Sequence, residues 1–473
     1  MRRTKIVATI GPVSRERPVL ERLVRAGVDV VRLNFSHGEP EVHLQVMRAV
    51  REISAALDRP IAVLQDLSGP KIRTGRLRGG QPVMLADGAR IVITTNESVE
   101  GDGSIVSTTY PALPADVRPG DRILLDDGNL ELRVVRATDE HVECEVVHGG
   151  LLKPNKGMNL PGVKISAPAL TDKDRRDLAL GIKNGVDYVA LSFVRQAADV
   201  RETRAAIAAI GGTAPVIAKI EKREAVEDLD AIVEAADGLM VARGDLGVEL
   251  ATEEVPTLQK RIIRIANAAG KAVITATQML ESMVEHPRPT RAEASDVANA
   301  IVDGTDAVML SAETAAGRYP VESVETMARI AVYTEEHLSE RDPVRRRGNP
   351  NATRMVARSL SRVATMVAEE LECKLIVAFT ASGSTACLVS MYRPRSPIAA
   401  ITYDEDTCRR LALWWGVVPL KSGIARTTDE MVLEAEELLK RKKLAGPGDV
   451  VLMLGGQSHT AGTTNMIRVH TIS

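Results

Sequence analysis

The feature of this sequence that most constrains its fold is a theme repeated eight times between residues 5 and 314. Each repeat has a short apolar run that ends in polar residues and is followed by a helical pattern. Such runs are typical of parallel strands buried on both faces, and the helical spacers would supply the crossovers. The runs are KIVATI (5–10), VVRLNFS (30–36), IAVLQDL (61–67), YVALSFV (188–194), VIAKIE (216–221), GLMVARGD (238–245), AVITATQ (272–278) and AVMLSAET (307–314).

The spacers carry helix signals of their own. Residues 253–271 (EEVPTLQKRIIRIANAAGK) have apolar side chains at three- and four-residue spacing, and Gly270 is placed to end a helix. Thr290 and Glu293 fit a capping box at the start of another helix. Eight strand–helix units predict an α/β fold, a (β/α)8 TIM barrel, whose chemistry gathers at the C-terminal ends of the strands.

One spacer is much longer than the others, because residues 68–187 separate the third run from the fourth. Much of it is rich in Gly, Pro, Val, Thr and Asp, a composition typical of short strands joined by tight turns. We therefore predict an inserted small β-barrel lid domain at residues 71–166, hanging over the active face. The barrel would then comprise residues 1–70 and 167–340.

The pattern changes again after residue 340. RDPVRRRGNPN (341–351) is polar and turn-forming, as expected of a linker, and a long helical pattern and further alternating strands and helices follow it. These features predict a separate C-terminal α/β regulatory domain at residues 341–473.

Composition excludes several classes of function. The formal net charge is −2, so no global charge attracts the chain to nucleic acid or to an acidic membrane. No apolar stretch approaches the roughly 18 residues of a membrane span, and the N-terminal apolar run is too short for a signal peptide. Four cysteines without C-x-x-C spacing argue against a zinc site or a disulfide framework. We expect a cytoplasmic protein that binds neither nucleic acid nor membrane.

Polar residues concentrate at the predicted strand ends. Glu221 and Asp245 end adjacent strands and could together hold one Mg²⁺. Lys219 lies two residues before Glu221 and so shares its face of the strand. Arg32 and Arg73 add guanidinium groups suited to phosphate. The same strand ends also carry Asn34, Ser36, His37, Asp66, Thr277, Ser311 and Glu313.

These residues together indicate a site for a multiply anionic, phosphorylated substrate. Taken singly, an acidic residue at a strand end is more often a solvated or capping side chain, and His37 could be a structural or surface residue; the coincidence across six strands favours a site. Asp126 and Asp127 fit a hairpin turn, and the sequence has no P-loop or G-x-G-x-x-G fingerprint.

Several of these stretches resemble the pyruvate kinase family, in the same order and over nearly the whole chain. They are RLNFSHG (32–38), GPKIRTG (69–75), KIE (219–221), MVARGDLGVE (240–249), ATQMLESM (276–283), RPTRAEASDVANAI (288–301) and MLSAETAAGRYP (309–320). The resemblance implies a glycolytic enzyme that transfers the phosphoryl group of phosphoenolpyruvate to ADP. Two rival hypotheses are a non-catalytic protein that binds phosphorylated metabolites, and a Mg²⁺-dependent aldolase or phosphoenolpyruvate mutase.

The resemblance also implies roles for individual residues. Lys219 would stabilise the transferring phosphoryl group, and Glu221 and Asp245 would bind Mg²⁺ or Mn²⁺. Ser311 and Glu313 would belong to the proton path. The residues implied to contact phosphoenolpyruvate are Arg32, Lys219, Gly244, Asp245 and Thr277, and those on the nucleotide side are Asn34, Phe35, Ser36, His37, Arg73 and Lys173.

Members of the family usually need K⁺ as well, and the matching positions are Asn34, Ser36, Asp66 and the carbonyl of Leu67. Members that do not depend on K⁺ tend to have lysine where this chain has Lys71. The resemblance therefore predicts an enzyme in which the Lys71 ammonium replaces K⁺. The alternative is that Lys71 is a solvated residue at the root of the lid.

The terminal domain carries a stretch that matches the family's effector loop. Its candidate effector-binding residues are Thr380, Ser382, Gly383, Ser384 and Thr385, and residues 455–465 match a second effector loop. Ala381 stands where some members regulated by fructose 1,6-bisphosphate have lysine. The implied effector is a sugar phosphate or AMP, and the implied assembly is a homotetramer.

Overall fold

The computed structural model of the chain describes residues 1–338, 352–424, 427–456 and 464–473. The strands are β1 (Lys5–Thr9), β2 (Val30–Asn34), β3 (Ala62–Asp66), β4 (Val83–Leu85), β5 (Arg90–Thr94), β6 (Ile105–Ser107), β7 (Arg122–Leu125), β8 (Leu130–Ala137), β9 (His141–His148), β10 (Gly150–Leu152), β11 (Met158–Asn159), β12 (Tyr188–Leu191), β13 (Val216–Ile220), β14 (Gly238–Ala242), β15 (Ala272–Ala276), β16 (Ala307–Leu310), β17 (Leu375–Phe379), β18 (Ile398–Thr402), β19 (Val417–Lys421), β20 (Val450–Gly455) and β21 (Met466–Thr471).

The α-helices are α1 (Arg17–Ala26), α2 (Pro40–Ala56), α3 (Leu113–Asp116), α4 (Asp172–Lys183), α5 (Ala197–Ala209), α6 (Arg223–Glu227), α7 (Leu229–Ala235), α8 (Arg243–Glu249), α9 (Val255–Ala269), α10 (Arg291–Asp303), α11 (Ala312–Ala315), α12 (Pro320–Glu336), α13 (Ala352–Glu370), α14 (Ser384–Met391), α15 (Glu405–Arg410) and α16 (Thr428–Arg441). Short 3₁₀ turns lie at Arg78–Gly80, Thr252–Glu254, Glu281–Val284 and Leu411–Leu413.

Eight parallel strands close into a barrel in the order β1-β16-β15-β14-β13-β12-β3-β2, and β2 pairs with β1. The predicted TIM barrel is therefore confirmed. The strands end earlier than the apolar runs suggested, so that most of the polar residues at the ends of those runs lie in the loops just beyond the strands. The predicted helix signals are also confirmed: Gly270 ends α9 in the left-handed conformation, and Thr290 and Glu293 form the capping box of α10.

The segment between β3 and β12 forms a β structure around an apolar core of its own. A six-stranded sheet has the order β11-β7-β8-β9-β5-β6, and β4 pairs with β10. Asp126 and Asp127 have positive φ angles in the tight connection between β7 and β8, as the predicted hairpin turn requires. The sheet follows the third barrel strand, at the end of the barrel where the polar residues lie.

The C-terminal domain is a five-stranded sheet of order β19-β18-β17-β20-β21, with apolar clusters on both faces. Its first four strands are parallel, and β21 runs antiparallel to β20. The sequence analysis did not predict β21. The domain boundaries after residues 70, 166 and 340 stay predictions, and most of the second candidate effector loop (457–463) lies outside the described residues.

The C-terminal domain fills the floor of the barrel. Ala412 and Leu413, from the short turn after α15, belong to the same buried cluster as the inward-facing barrel residues Tyr188 and Met240. The Tyr188 hydroxyl donates a hydrogen bond to the carbonyl of Arg410 at 2.7 Å. The interior of the barrel is therefore completed by side chains from another domain.

Charged contacts fix the same junction between the two domains. Arg393 pairs with Asp306 at 2.6 Å, and both side chains are buried. Lys5, at the start of β1, donates to the carbonyl of Val417 at 2.6 Å. Within the described residues, no helix is both long and apolar enough to cross a membrane.

Shortening Leu413 should destabilise the protein, because the Leu413 side chain is 1% exposed inside the barrel floor. We expect Leu413→Ala to lower the free energy of unfolding by about 3 kcal/mol, the usual cost of removing a buried leucine side chain. The control is Leu433→Ala in the same domain, where the leucine is 63% exposed. Urea unfolding followed by circular dichroism measures both; equal stability of the two variants would contradict the role given to Leu413.

Candidate active site

A buried ammonium group lies at the centre of the polar end of the barrel. Lys219, on β13, makes ion pairs with Glu221 at 2.8 Å and with Asp66 at 3.3 Å. It also donates a hydrogen bond to the Ser192 hydroxyl at 2.7 Å. Burial alone would lower the pKa of Lys219, but the charges of Asp66 and Glu221 outweigh burial and raise this pKa above its usual value. Lys219 is therefore a permanent cation.

Asp66 connects this cation to a second one. The carboxylate of Asp66 accepts a hydrogen bond from Arg32 Nε at 2.6 Å, while Arg32 Nη1 donates to the Thr9 hydroxyl at 2.9 Å. Burial opposes ionisation of Asp66, but Lys219 and Arg32 together hold its pKa below the usual range. Arg32 and Lys219 are thus both held against the same carboxylate, that of Asp66.

Glu221 and Asp245 form a pair of carboxylates at the ends of adjacent strands. Burial raises the pKa of Glu221; Lys219 opposes this rise and the negative charge of Asp245 adds to it. Glu221 Oε2 accepts the backbone N–H of Phe193 at 2.8 Å. Glu221 Oε1 is buried and lies 2.8 Å from Lys219 Nζ, in an ion pair that lacks the geometry of a hydrogen bond.

These two carboxylates fit a divalent metal ion. The described ranges contain no group of three or more His, Cys, Asp or Glu side chains that could hold a metal. Mg²⁺ does not require such a group, because it is commonly bound by one or two carboxylates and completes its shell with water and substrate phosphate oxygens. A bound cation would relieve the repulsion between the two carboxylates, which contributes to the raised pKa of Glu221.

Thr277 lies in a strained turn just after β15. Its φ is +68° and that of Gln278 is +53°, a conformation that is unusual for a β-branched residue and costs free energy. The Thr277 hydroxyl accepts the backbone N–H of Gly244 at 2.8 Å. Arg243 stabilises the turn. Its Nη2 donates a hydrogen bond to the carbonyl of Thr277 at 2.7 Å, and its Nη1 pairs with Asp296 at 2.7 Å.

Ser311 and Glu313 follow β16. The Glu313 carboxylate is fully buried and accepts the backbone N–H groups of Leu280 at 3.1 Å and Ser311 at 2.6 Å, so it ties together the loops after β15 and β16. Burial raises the pKa of Glu313. The Ser311 hydroxyl is buried without a hydrogen-bond partner among the described residues.

The candidate nucleotide-side residues form a turn after β2. Asn34 Oδ1 accepts the backbone N–H of Ser36 at 3.1 Å, and the carbonyl of Phe35 accepts from Lys173 Nζ at 2.7 Å. The Phe35 ring is buried and stacks on His43, so only its backbone is available at the site. The side chain of His37 is exposed to solvent. Its pKa is nevertheless lowered, first by the nearby protein atoms that displace water and then by the positive charges of Lys71, Arg73 and Arg32.

Lys71 lies in a cleft between the barrel and the inserted sheet. The cleft is lined by Pro70, Lys71, Ile72, Asp127, Gly157, Met158, Asn159, Ile165, Phe193, Arg195, Lys222 and Asp245. Partial burial and the charge of Arg73 lower the pKa of Lys71, while Asp245 and Asp127 oppose this. Asp66, in contrast, is paired with Arg32 and Lys219. Lys71 and Asp245, one of the two carboxylates, therefore line the same cleft.

Arg73 lies at the edge of the inserted sheet, where Nη1 donates to the carbonyl of Asn155 at 3.0 Å. The structure thus places the candidate residues of six barrel strands around one site, with Arg73 and Lys71 on the side of the lid. Four further residues of the site, Ser192, Phe193, Lys222 and Arg243, were not predicted from the sequence. Of these, Ser192 carries a usable signal, since it is a polar residue at a strand end; the roles of the others depend on contacts made by folding.

Fold and site together define a (β/α)8 barrel enzyme with a charged site for an anionic substrate. Residues 1–324 match the family described as "Pyruvate kinase, barrel domain" and residues 358–470 match "Pyruvate kinase, alpha/beta domain". The chain belongs to the pyruvate kinase family and is a phosphotransferase.

Individual relatives agree with this assignment, and each of the following matches covers the whole of this chain. Pyruvate kinase of Geobacillus stearothermophilus is 48% identical over 476 residues, covering 100% of this chain and 81% of the relative. Pyruvate kinase 2 of Synechocystis is 47% identical, covering 100% of this chain and 79% of the relative. The crystal structure of a pyruvate kinase from Cryptosporidium parvum superposes with a TM-score of 0.93 at 36% identity, covering 100% of this chain and 96% of that one.

Proposed function

We propose that this enzyme transfers the phosphoryl group of phosphoenolpyruvate to ADP, giving pyruvate and ATP in glycolysis. The observation that carries the proposal is the buried Lys219 ammonium, held between Asp66 and Glu221 and next to Asp245. Phosphoryl transfer asks the protein mainly for positioning and for neutralisation of charge. A rigid cation beside a carboxylate pair supplies both.

The proposed roles follow from what each group can do. Lys219 and Arg32 bind the anionic substrate and stabilise negative charge on the transferring group and the enolate oxygen. Glu221 and Asp245 hold Mg²⁺, or Mn²⁺, which supplies further positive charge when bound. Gly244 lets the backbone approach the substrate closely, and the Thr277 hydroxyl contacts it.

Ser311 and Glu313 are proposed to serve the proton path to the enolate carbon. The partnerless Ser311 hydroxyl supports this role, since a buried hydroxyl without a protein partner is available to water or substrate. Asn34 to His37, Arg73 and Lys173 are proposed to bind the nucleotide, chiefly through the turn after β2.

Replacing Lys219 tests the proposal directly. We expect Lys219→Met to lower turnover at least about 100-fold, the effect of losing about 3 kcal/mol of transition-state stabilisation, while phosphoenolpyruvate still binds. Lys183→Met, at the exposed end of α4, is the matched control. The assay is pyruvate release from phosphoenolpyruvate, with and without ADP.

Near-normal turnover of Lys219→Met would refute the assigned role. Pyruvate release by the unaltered enzyme that needs ADP would separate the proposed reaction from an aldolase, a mutase or a non-catalytic binding protein.

We further propose that the enzyme does not require K⁺. The oxygens that match the family's K⁺ pocket already have protein partners: Asn34 Oδ1 accepts from the Ser36 N–H, the carbonyl of Leu67 accepts from the Ser192 hydroxyl at 2.7 Å, and Asp66 is paired twice. Lys71 adds a tethered ammonium in the cleft that Asp245 also lines.

We expect nearly equal rates in K⁺ and in tetramethylammonium at equal ionic strength, because the positive charge is supplied by the protein. Lys71→Glu replaces the Lys71 ammonium by a carboxylate and should make the rate depend on K⁺. Steady-state assays of both proteins across a K⁺ titration measure this. Strong activation of the unaltered enzyme by K⁺ would show that Lys71 is a solvated residue at the root of the lid.

Regulation by a phosphorylated metabolite is proposed at the loop that begins α14. Gly383 has a positive φ of 84° there, Ser382 donates to the Ser384 hydroxyl, and Thr385 contacts Thr464 at 2.7 Å. We expect AMP or a sugar monophosphate to raise the unfolding temperature, and Ser384→Asp to abolish that shift by repelling phosphate. Thermal shift assays with each ligand, including fructose 1,6-bisphosphate, test it; equal shifts for both proteins would place the effector elsewhere.

A homotetramer is proposed as the assembly. Helix α13 exposes a row of large apolar side chains, Met355, Val356, Val363 and Met366, and β21 is an edge strand with an exposed Val469. Exposed apolar rows of this kind are typical of subunit interfaces. Light scattering gives the mass of the assembly.

The cytoplasm is the proposed compartment, supported by four free cysteines and testable by cell fractionation.

A further inference from the structure

The turn after β12 contacts both charged groups at the centre of the site. Its first residue, Ser192, accepts a hydrogen bond from Lys219 Nζ at 2.7 Å and donates one to the carbonyl of Leu67 at 2.7 Å. Its second residue, Phe193, donates its backbone N–H to Glu221 Oε2 at 2.8 Å. Two successive residues therefore hold the cation and the candidate metal ligand at a fixed separation.

Phe193 adopts an unfavourable backbone conformation to make its contact. Its φ is +53°, a value that a residue with a large side chain adopts only when its surroundings enforce it. Because φ sets the direction of the ring and of the following chain relative to the N–H group, a negative φ would not keep both the N–H contact with Glu221 and the present position of the ring. The geometry of Glu221 thus depends on whatever keeps Phe193 in this conformation.

The contacts of the Phe193 ring supply that constraint. The Lys222 ammonium lies over the ring, 5.9 Å from its centroid, and Lys222 is itself held by a buried ion pair with Glu249. Gly69, at the root of the inserted domain, lies so near that a Cβ atom there would come within 2.8 Å of the ring. The ring therefore packs against both the loop after the fifth barrel strand and the loop that leads to the inserted domain.

We propose that Phe193, fixed by Lys222, is a positioning residue that aims the Glu221 carboxylate at the metal ion. The inference rests on the proposed function, because it takes Glu221 to be a metal ligand. It assigns to Phe193 a role other than packing: the ring sets the backbone, and the backbone sets the direction of a carboxylate whose other oxygen is ion-paired with Lys219 but makes no hydrogen bond of good geometry.

A packing role and a positioning role predict different measurements. If Phe193 only fills space, replacing it lowers stability and leaves the affinity for metal unchanged. If it aims Glu221, replacing it weakens metal binding even where the protein stays folded. Metal binding should therefore be measured without turnover, by the electron paramagnetic resonance signal of free Mn²⁺ titrated with substrate-free protein.

Three variants of Phe193 separate the ring from the backbone. Phe193→Tyr keeps the ring and should bind Mn²⁺ as the unaltered protein does. Phe193→Ala removes the ring and keeps the cost of a positive φ, so the turn should relax and Mn²⁺ binding should weaken about tenfold, equivalent to about 1.4 kcal/mol. Phe193→Gly removes the ring but tolerates a positive φ, and should bind Mn²⁺ more tightly than Phe193→Ala.

The contribution of Lys222 is tested by replacing the buried pair together. The double variant Lys222→Met with Glu249→Leu leaves no unpaired buried charge, so the protein should stay folded. Loss of the ammonium should nevertheless weaken Mn²⁺ binding several-fold. Thermal unfolding in EDTA reports on the folding of every variant; Mn²⁺ affinity equal to that of the unaltered protein in the double variant would remove Lys222 from the proposal.

Glu221→Gln distinguishes failure of this inference from failure of the proposed function. If Glu221→Gln binds Mn²⁺ as tightly as the unaltered protein, Glu221 is not a metal ligand and both proposals about this carboxylate fall. If Glu221→Gln loses Mn²⁺ binding while Phe193→Ala and Phe193→Gly retain it in full, the metal site stands and the positioning role of Phe193 is overturned.

Discussion

The site depends on the matching of charges that the barrel takes out of water. Two cations, Arg32 and Lys219, stand against three carboxylates, those of Asp66, Glu221 and Asp245. An unpaired buried charge costs several kcal/mol, so the buried carboxylates of Asp66 and Glu221 must keep their cationic partners. The cluster carries one negative charge more than positive, and the excess lies at Glu221 and Asp245, on the side of the cleft. A divalent cation and an anionic substrate complete this arrangement.

Backbone strain occurs in the loops that carry or contact the charged side chains of the site. Phe193, Thr277 and Gln278 have positive φ angles, and all three lie just after barrel strands. Each strained turn has contacts with another segment: Arg243 binds the carbonyl of Thr277, and the Phe193 ring packs near Gly69 and Lys222. A rigid closed barrel can enforce such conformations because its strands are packed on both faces.

The two ends of the barrel serve different purposes. The polar end carries the site, while the floor is filled by Leu413 and its neighbours from the C-terminal domain. The candidate effector loop lies directly on the segment that fills the floor: the Thr407 hydroxyl donates to the carbonyl of Ala381 at 3.2 Å, and Gly383 faces Leu411. The loop and the barrel interior are thus separated by one short turn of chain.

The sequence by itself determined the eight strands, the caps at Gly270 and Thr290, and the residues at the strand ends, because these follow from local periodicity and from the rule that parallel strands bring their ends together. Only the tertiary structure decided the filling of the barrel floor by Leu413, the position of Lys71 in one cleft with Asp245, and the positive φ of Phe193. The physical reason is that these three depend on packing between segments far apart in the chain, which leaves no periodic trace in the sequence.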